Sequence, residues 1–420
     1  MAWLCLAGPV LADQTAVGQD VVQAVNRLTS GPTPGLLERV AAMGLPAFID
    51  EQLSPDALPE PPELERALER LPSLQMDTVR LFREYGPPAE AGRPDGPEAM
   101  RRTFDRADAV ALEAAKARAL RAIASPRQLQ ELMVAFWCDH FSLGGKKGLA
   151  RLWLGAFERE AIRPHALGKF IDLLAATAMH PAMLMAQDNW RNVVVRDAGK
   201  PVRESLDATY AAVLVGRQTL GPGGPQKPAD VQAMARILTG WRVGAARADS
   251  DVGGFYFDAE RHDPSDKTLL GQPIKGTGLG EGVAALRVLA AHPATAKNVG
   301  RRLAVYFLAD DPPAPLVARL AETFQKTGGD IREVLRALFA SPEFQDEKYR
   351  GGRLKPPMRQ VVSAVRALGF FPADAAGLTG VLAGLGQPLS GPPLEVDSGP
   401  GASWAKPATL PRRVDRKSVV

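Results

Sequence analysis

The 420-residue chain has only 2 cysteines and 5 histidines, too few for a disulfide framework or a cysteine-rich zinc module. Aromatic residues make up 6% of it, and none forms the Lys/Arg-interleaved platform on which single-stranded nucleic acid stacks. The 51 basic residues outnumber the 47 acidic ones only slightly. They are scattered instead of forming a phosphate-contacting block, so the pI near 9.0 makes little case for nucleic acid. No G-x-S-x-G nucleophile elbow is present. Nor is there a phosphate loop, since the Gly144 to Gly148 stretch lacks the spacing and the terminal hydroxyl and reads as a basic loop.

With 45% hydrophobic residues, the chain has ample material for a large buried core. The opening run MAWLCLAGPVLADQ, apolar up to the small residue Ala12, resembles the end of a secretory signal. Export, to the periplasm or beyond, is therefore the expectation. Cleavage at Ala12 would leave Cys138 as the lone thiol. Nothing later approaches the roughly 18 apolar residues of a membrane span.

Helical periodicity dominates, so the expected fold class is all-α. Helix starts take one form, a polar residue followed by proline, at Ser125-Pro126, His180-Pro181, His292-Pro293 and Ser341-Pro342. Ser125 with Gln128 and Asp330 with Glu333 read as capping boxes, which places helix starts near 126, 181, 293, 331 and 342. Strand signals are confined to residues 253–274, read as one small β-hairpin. The organisation expected is a signal remnant (1–12), an N-terminal helical segment (13–85), a Pro/Gly loop (86–98), a helical core carrying the hairpin (99–390) and a C-terminal loop (391–414). Asp415 to Val420, DRKSVV, reads as a translated sequencing-adapter end and is set apart from the fold.

Several stretches together carry a family resemblance: LTSGPTPGLLERVAAMGLPAFIDEQL, AFWCDHFSL, FEREAIRPHALGKFIDLLAATAMHPAMLMAQDN, ADVQAMARILTGW, HDPSDKTLLG, HPATAKNVGRRLAVYFLADDPP and GDIREVLRALFASPEF. Across about residues 26 to 410 the chain resembles the bacterial domain of unknown function numbered 1800. The resemblance implies an exported, mostly helical protein, often encoded beside a sulfatase-like partner. It implies no established activity. This chain also departs from the family's pattern. Where the family reads FWHNHF, this chain keeps His140 but has Cys138 and Asp139 at the preceding positions. Where the family reads NENYARELLELHTLG, this chain has DATYAAVLVGRQTLG, with Ala208, Ala212, Val213, Gly216 and Gln218 among the substitutes. Asp188 and Asn189 still fit the family's pair, as His262, Asp263 and Lys267 fit its HD…K element.

The candidate residues admit two readings. Leu129, Leu132, Met133, Phe136, Trp137, His140 and Phe141 fall on one helical stripe, so His140 faces a core. Cys138 then lies roughly 200° around the helix, out of reach of an ion held by His140. Asp188, Asn189 and Trp190 could give a hard cation two oxygens, or a sugar an aromatic wall. Their plainer reading is a helix C-terminus. Trp153, Trp190 and Trp241 could form a sugar-binding surface, or core. His262 sits in a polar turn where Asp263 could fix its tautomer, or where Asp-Pro-Ser-Asp is turn chemistry alone. His165, His180 and His292 read as structural residues at helix entrances, and Glu158, Arg159, Glu160 and Arg163 as a self-paired helix face. The leading expectation is a non-catalytic binding or assembly partner, because convergent titratable groups have given way to Ala, Val and Gly. The alternative is a metal-assisted hydrolase, using calcium or zinc, with a reduced site of His140, Asp139, Asp188 and His262. No cofactor is strongly implied.

Overall fold

A computed structural model describes residues 17–87, 96–143, 148–197, 200–244, 254–350, 355–372, 374–385, 387 and 389. The expected signal remnant, the adapter-like tail and the C-terminal loop lie outside the described residues, as do residues 144–147 and most of the expected 86–98 loop. The chain is predominantly helical, with small antiparallel strand pairs at its margin. No described helix is long and apolar enough to cross a membrane.

The helix Gln128–His140 lies at the centre of the main core. All seven stripe residues from Leu129 to Phe141 are buried, and so are Gln128, Glu131, Cys138 and Asp139 on its other sides. Neighbours therefore wrap it completely, which is why its amphipathic stripe is only part of what it buries. N-terminal helices Gln19–Leu28 and Leu45–Leu53 pack on it from one side. Their Val25, Leu28 and Phe48 share a cluster with Phe136 and Trp137. Pro293–Phe307, Ala314–Lys326 and Ile331–Phe339 stack in sequence on another side, and the last returns to Leu45–Leu53. A satellite core forms where the long helix Gly96–Ala124 meets Pro62–Glu69, Pro357–Ala367 and Ala376–Gly384.

The proline-started helices begin where their chemistry dictates. Pro181 and Pro293 each open a helix whose N-cap is the preceding histidine, with His180 Nδ1 accepting from Ala182 N–H and His292 Nδ1 from Ala294 N–H, each at 3.1 Å. Asp330 caps its helix by accepting from Glu333 N–H at 3.2 Å. At Ser125 the expectation shifts. Ser125 Oγ accepts from Arg127 N–H, while the Gln128 amide donates back to the carbonyls of Ala122 and Ser125, so the helix starts at Gln128 and no box forms.

Three strand pairs form, designated β1 (Val193–Asp197) with β2 (Lys200–Ser205), β3 (Trp241–Gly244) with β4 (Gly254–Phe257), and β5 (Lys267–Leu269) with β6 (Gln272–Ile274). The hairpin expected within 253–274 is the β5–β6 pair. The GFYF run of β4 reaches back to β3 instead, pairing Trp241 with Phe257. Gly240 makes that approach feasible: it holds a left-handed φ of 79°, and a Cβ there would come within 2.6 Å of the Asp258 carbonyl. The β1–β2 pair was not expected: Ala198-Gly199, between its strands in sequence, is not one of the Asn-Gly or Asp-Gly pairs that signal a two-residue hairpin.

Candidate functional site

The histidine of the AFWCDHFSL stretch sits in a dry aromatic box. His140 is fully buried, and its ring lies 4.6 to 6.3 Å, centroid to centroid, from Phe136, Trp137, Phe141 and Phe170. Its Nε2 stands 2.9 Å from the Gln218 carbonyl, which can only accept, so Nε2 carries the proton. Nδ1 then presents a lone pair and has no hydrogen-bond partner among the described residues. Burial, with the nearby Arg302 charge, pushes the ring's pKa well below the ordinary histidine value. A second proton would add an N–H in a box of phenyl and indole rings.

Two π-helical turns bracket this residue, Phe157–Ile162 and Val213–Leu220. Such turns are rare and gather at functional sites. The second holds part of the segment that departs from the family's pattern, including Val213, Gly216 and Gln218. Thr219 Oγ donates to the carbonyls of Leu214 and Val215, each at 2.8 Å, spanning the wide turn, and the adjacent Gln218 turns its carbonyl to His140. Asp139, also buried, faces Arg302 at 3.4 Å, and its carbonyl accepts from Arg217 at 3.1 Å.

The first π-turn organises a charged network. Glu158 and Arg163, five residues apart, meet at 2.9 Å across the wide turn. Arg163 also grips Glu131 through two bonds of 2.5 and 3.0 Å, and Arg118 donates to Glu158 at 2.8 Å. The expected self-paired helix face is thus a network spanning three helical segments. Burial works against the Glu158 carboxylate, but the Arg118 and Arg163 charges and hydrogen bonds outweigh it and hold its pKa down at about 2. Arg118 also lies 3.4 Å from Cys138 Sγ, yet burial pushes that thiol up to about 12, leaving it protonated and unreactive at neutral pH.

The HD…K element forms a second buried cluster. His262 Nδ1 donates to the Thr239 carbonyl at 2.8 Å, and Nε2 stands 3.1 Å from Glu281 Oε1. Lys267 Nζ reaches the same Oε1 at 2.8 Å and also donates to the Asp263 carbonyl. Of the two readings of Asp263, the turn is the one the structure bears out: its carboxylate accepts from Ser265 and pairs with Arg236 at 3.0 Å, and the Thr239 carbonyl holds the imidazole. Glu281 and Trp241 were not foreseen here. Glu281 enters from the first turn of Leu279–Ala291, and Gly282 beside it leaves room for the Trp241 indole, which a Cβ would meet at 2.3 Å.

The remaining candidates are placed apart from these clusters. Asp188 occupies the left-handed position (φ 54°) after the helix Pro181–Ala186. Asn189 is buried with its amide donating to the carbonyls of Leu238 and Trp241, at 3.1 and 3.2 Å. Trp190 is half-buried on an open cleft. Trp153 and Trp241 are fully buried and cannot form a sugar-binding surface. Among the described residues no three His, Cys, Asp or Glu side chains converge so as to hold a metal ion. His140, Asp139, Asp188 and His262 therefore do not fit a shared calcium or zinc site.

No curated protein and no solved structure matches the chain. The model of one family, described as proteins of unknown function (DUF1800), matches residues 23–419. With nearly the whole chain covered, this helical protein belongs to the DUF1800 family.

Proposed function

We propose that this chain is an exported, non-catalytic binding or assembly subunit, and that its protein partner is the sulfatase-like protein implied by the family resemblance. One observation carries the reading: His140 is sealed from solvent and bonded to a backbone carbonyl. A general base or metal ligand must reach substrate or ion. Other buried polar groups are likewise held by protein partners, Glu158 by two arginines and Asn189 by two carbonyls. Such groups specify a fold instead of meeting a ligand.

The rival reading is a metal-assisted hydrolase around His140, Asp139 and Asp188. The two are separated by exposing purified protein to zinc or calcium, desalting it and measuring the retained metal. The binding reading expects far less than one equivalent, with no difference between the native chain and His140→Gln. Stoichiometric retention that His140→Gln abolishes would restore the hydrolase. Co-expression with the sulfatase-like neighbour tests the partner itself: a complex that survives gel filtration is expected, and separate elution would remove that part of the reading.

A further inference from the structure

The cleft beside Trp190 has a different character from the buried clusters. It opens where β1, the end of β2, β3 and the short turn Ala259–Arg261 come together, and encloses about 400 Å³. That volume falls within the roughly 300 to 1,000 Å³ of small-molecule sites. Its floor is Val193 and Val195, and Ser205 stands at its edge. The remaining lining comes from Trp190 and three arginines, Arg191, Arg242 and Arg261.

These guanidinium groups are positioned. Arg191 lies over the Trp190 ring, 4.7 Å from its centroid. Arg242 donates from Nε to the Tyr256 hydroxyl at 3.1 Å and from Nη1 to the Trp190 carbonyl at 3.2 Å, which fixes the plane of its fork. Arg261 projects from the turn with about half of its side chain exposed. Asp258 is the acidic partner in contact, shared by Arg242 at 3.8 Å and Arg261 at 3.6 Å, both long for a charge-assisted bond. Three positive charges against one negative leave an excess of two among these groups.

We propose that this cleft binds a small organic phosphate monoester. Planar guanidinium forks match the oxygens of a phosphate in paired bonds. At neutral pH a phosphate monoester carries about −1.5 to −2 charge, which balances the excess, whereas a sulfate ester or carboxylate balances half of it. The volume left beyond one phosphate group, and the valine floor, accommodate a sugar-sized organic part. The sequence pointed at Trp190 as an aromatic wall with cation-binding oxygens beside it. The fold turns the Asn189 amide inward and surrounds the tryptophan with arginines, which reverses the sign of the preferred ligand. This proposal does not depend on the protein partner, since the cleft can fill whether or not a complex forms.

The test is calorimetric titration of the purified chain, in low-salt buffer free of phosphate, with glucose 6-phosphate, glucose, inorganic phosphate and glucose 6-sulfate. Saturable one-site binding of glucose 6-phosphate is expected, with inorganic phosphate competing, the singly charged glucose 6-sulfate weaker and glucose silent. Each arginine supplies a charge-assisted contact, so Arg261→Gln should weaken binding about tenfold and Arg242→Gln at least as much. Arg261 is held by no buried contact, so its variant separates loss of ligand from loss of fold. Lack of saturation, equal affinity for glucose or glucose 6-sulfate, or unchanged binding by the Arg261 variant would overturn the proposal.

Discussion

Replacing Arg163 with methionine is expected to destabilise the fold by about 3–5 kcal/mol, as removal of one partner from a buried ion network does. The reason lies in what remains. The Glu131 side chain is almost completely buried, and among the described residues its carboxylate accepts hydrogen bonds from Arg163 alone. Without the guanidinium it must either keep an uncompensated charge in the core or take up a proton. Glu158 fares better, because Arg118 still donates to it at 2.8 Å. Arg163→Met combined with Glu131→Gln should therefore recover part of the loss, a coupling that urea denaturation of the four members of the cycle would measure. A loss below about 1 kcal/mol, typical of a solvent-screened surface pair, would show that the network is not buried as described. The same network has a pH signature. With the Glu158 pKa held near 2, below the ordinary 4.5, its contribution is complete above 4.5 and is lost as pH falls toward 2.

Lys267→Met should have an effect of the same order, about 3–5 kcal/mol, for a related reason. It leaves the Glu281 carboxylate, whose side chain is fully buried, with only the His262 ring at 3.1 Å. Lys267→Met paired with Glu281→Leu should be less damaging than Lys267→Met alone, since an apolar pair of similar volume leaves no orphaned charge. Equal or greater destabilisation in the double variant, by equilibrium denaturation, would contradict the structural role.

The parts of the fold legible in the sequence are those governed by neighbours along the chain. Proline at a first helical position and a side-chain cap before it are local devices, so Pro181, Pro293, Asp330 and Pro342 marked helix starts correctly. The core-facing histidine was legible for the same reason, because its stripe of apolar residues lies within one helix. Gln128 misled because its side chain had a tertiary use: Oε1 accepts from Ser30 N–H, 98 residues away. The charged network escaped because its members come from positions 118, 131, 158 and 163, and because Glu158 and Arg163 meet at a five-residue spacing that only a π-turn creates. Ordinary helical pairing rules look three or four residues along. The arginine cleft was illegible for a third reason, that its charges arrive from the helical turn before β1, from strand β3 and from the turn Ala259–Arg261, far apart in the chain.

The central claim is that the His140 imidazole is a neutral core group. Because its pKa is pushed below the ordinary value, the unfolded chain takes up the proton first. Its contribution is complete above about pH 6.5 and is lost as pH falls below it, at up to about 1.4 kcal/mol per pH unit. His180, also shifted down by burial, adds to the same trend, so the comparison with His140→Gln isolates the one ring. The most direct measurement is an NMR titration of the His140 Cε1–Hε1 signal, assigned by its disappearance in His140→Gln. A resonance that stays at its neutral position until the protein unfolds is the predicted result. A reversible inflection near pH 6.5 in the folded protein would place that ring in water and contradict the account.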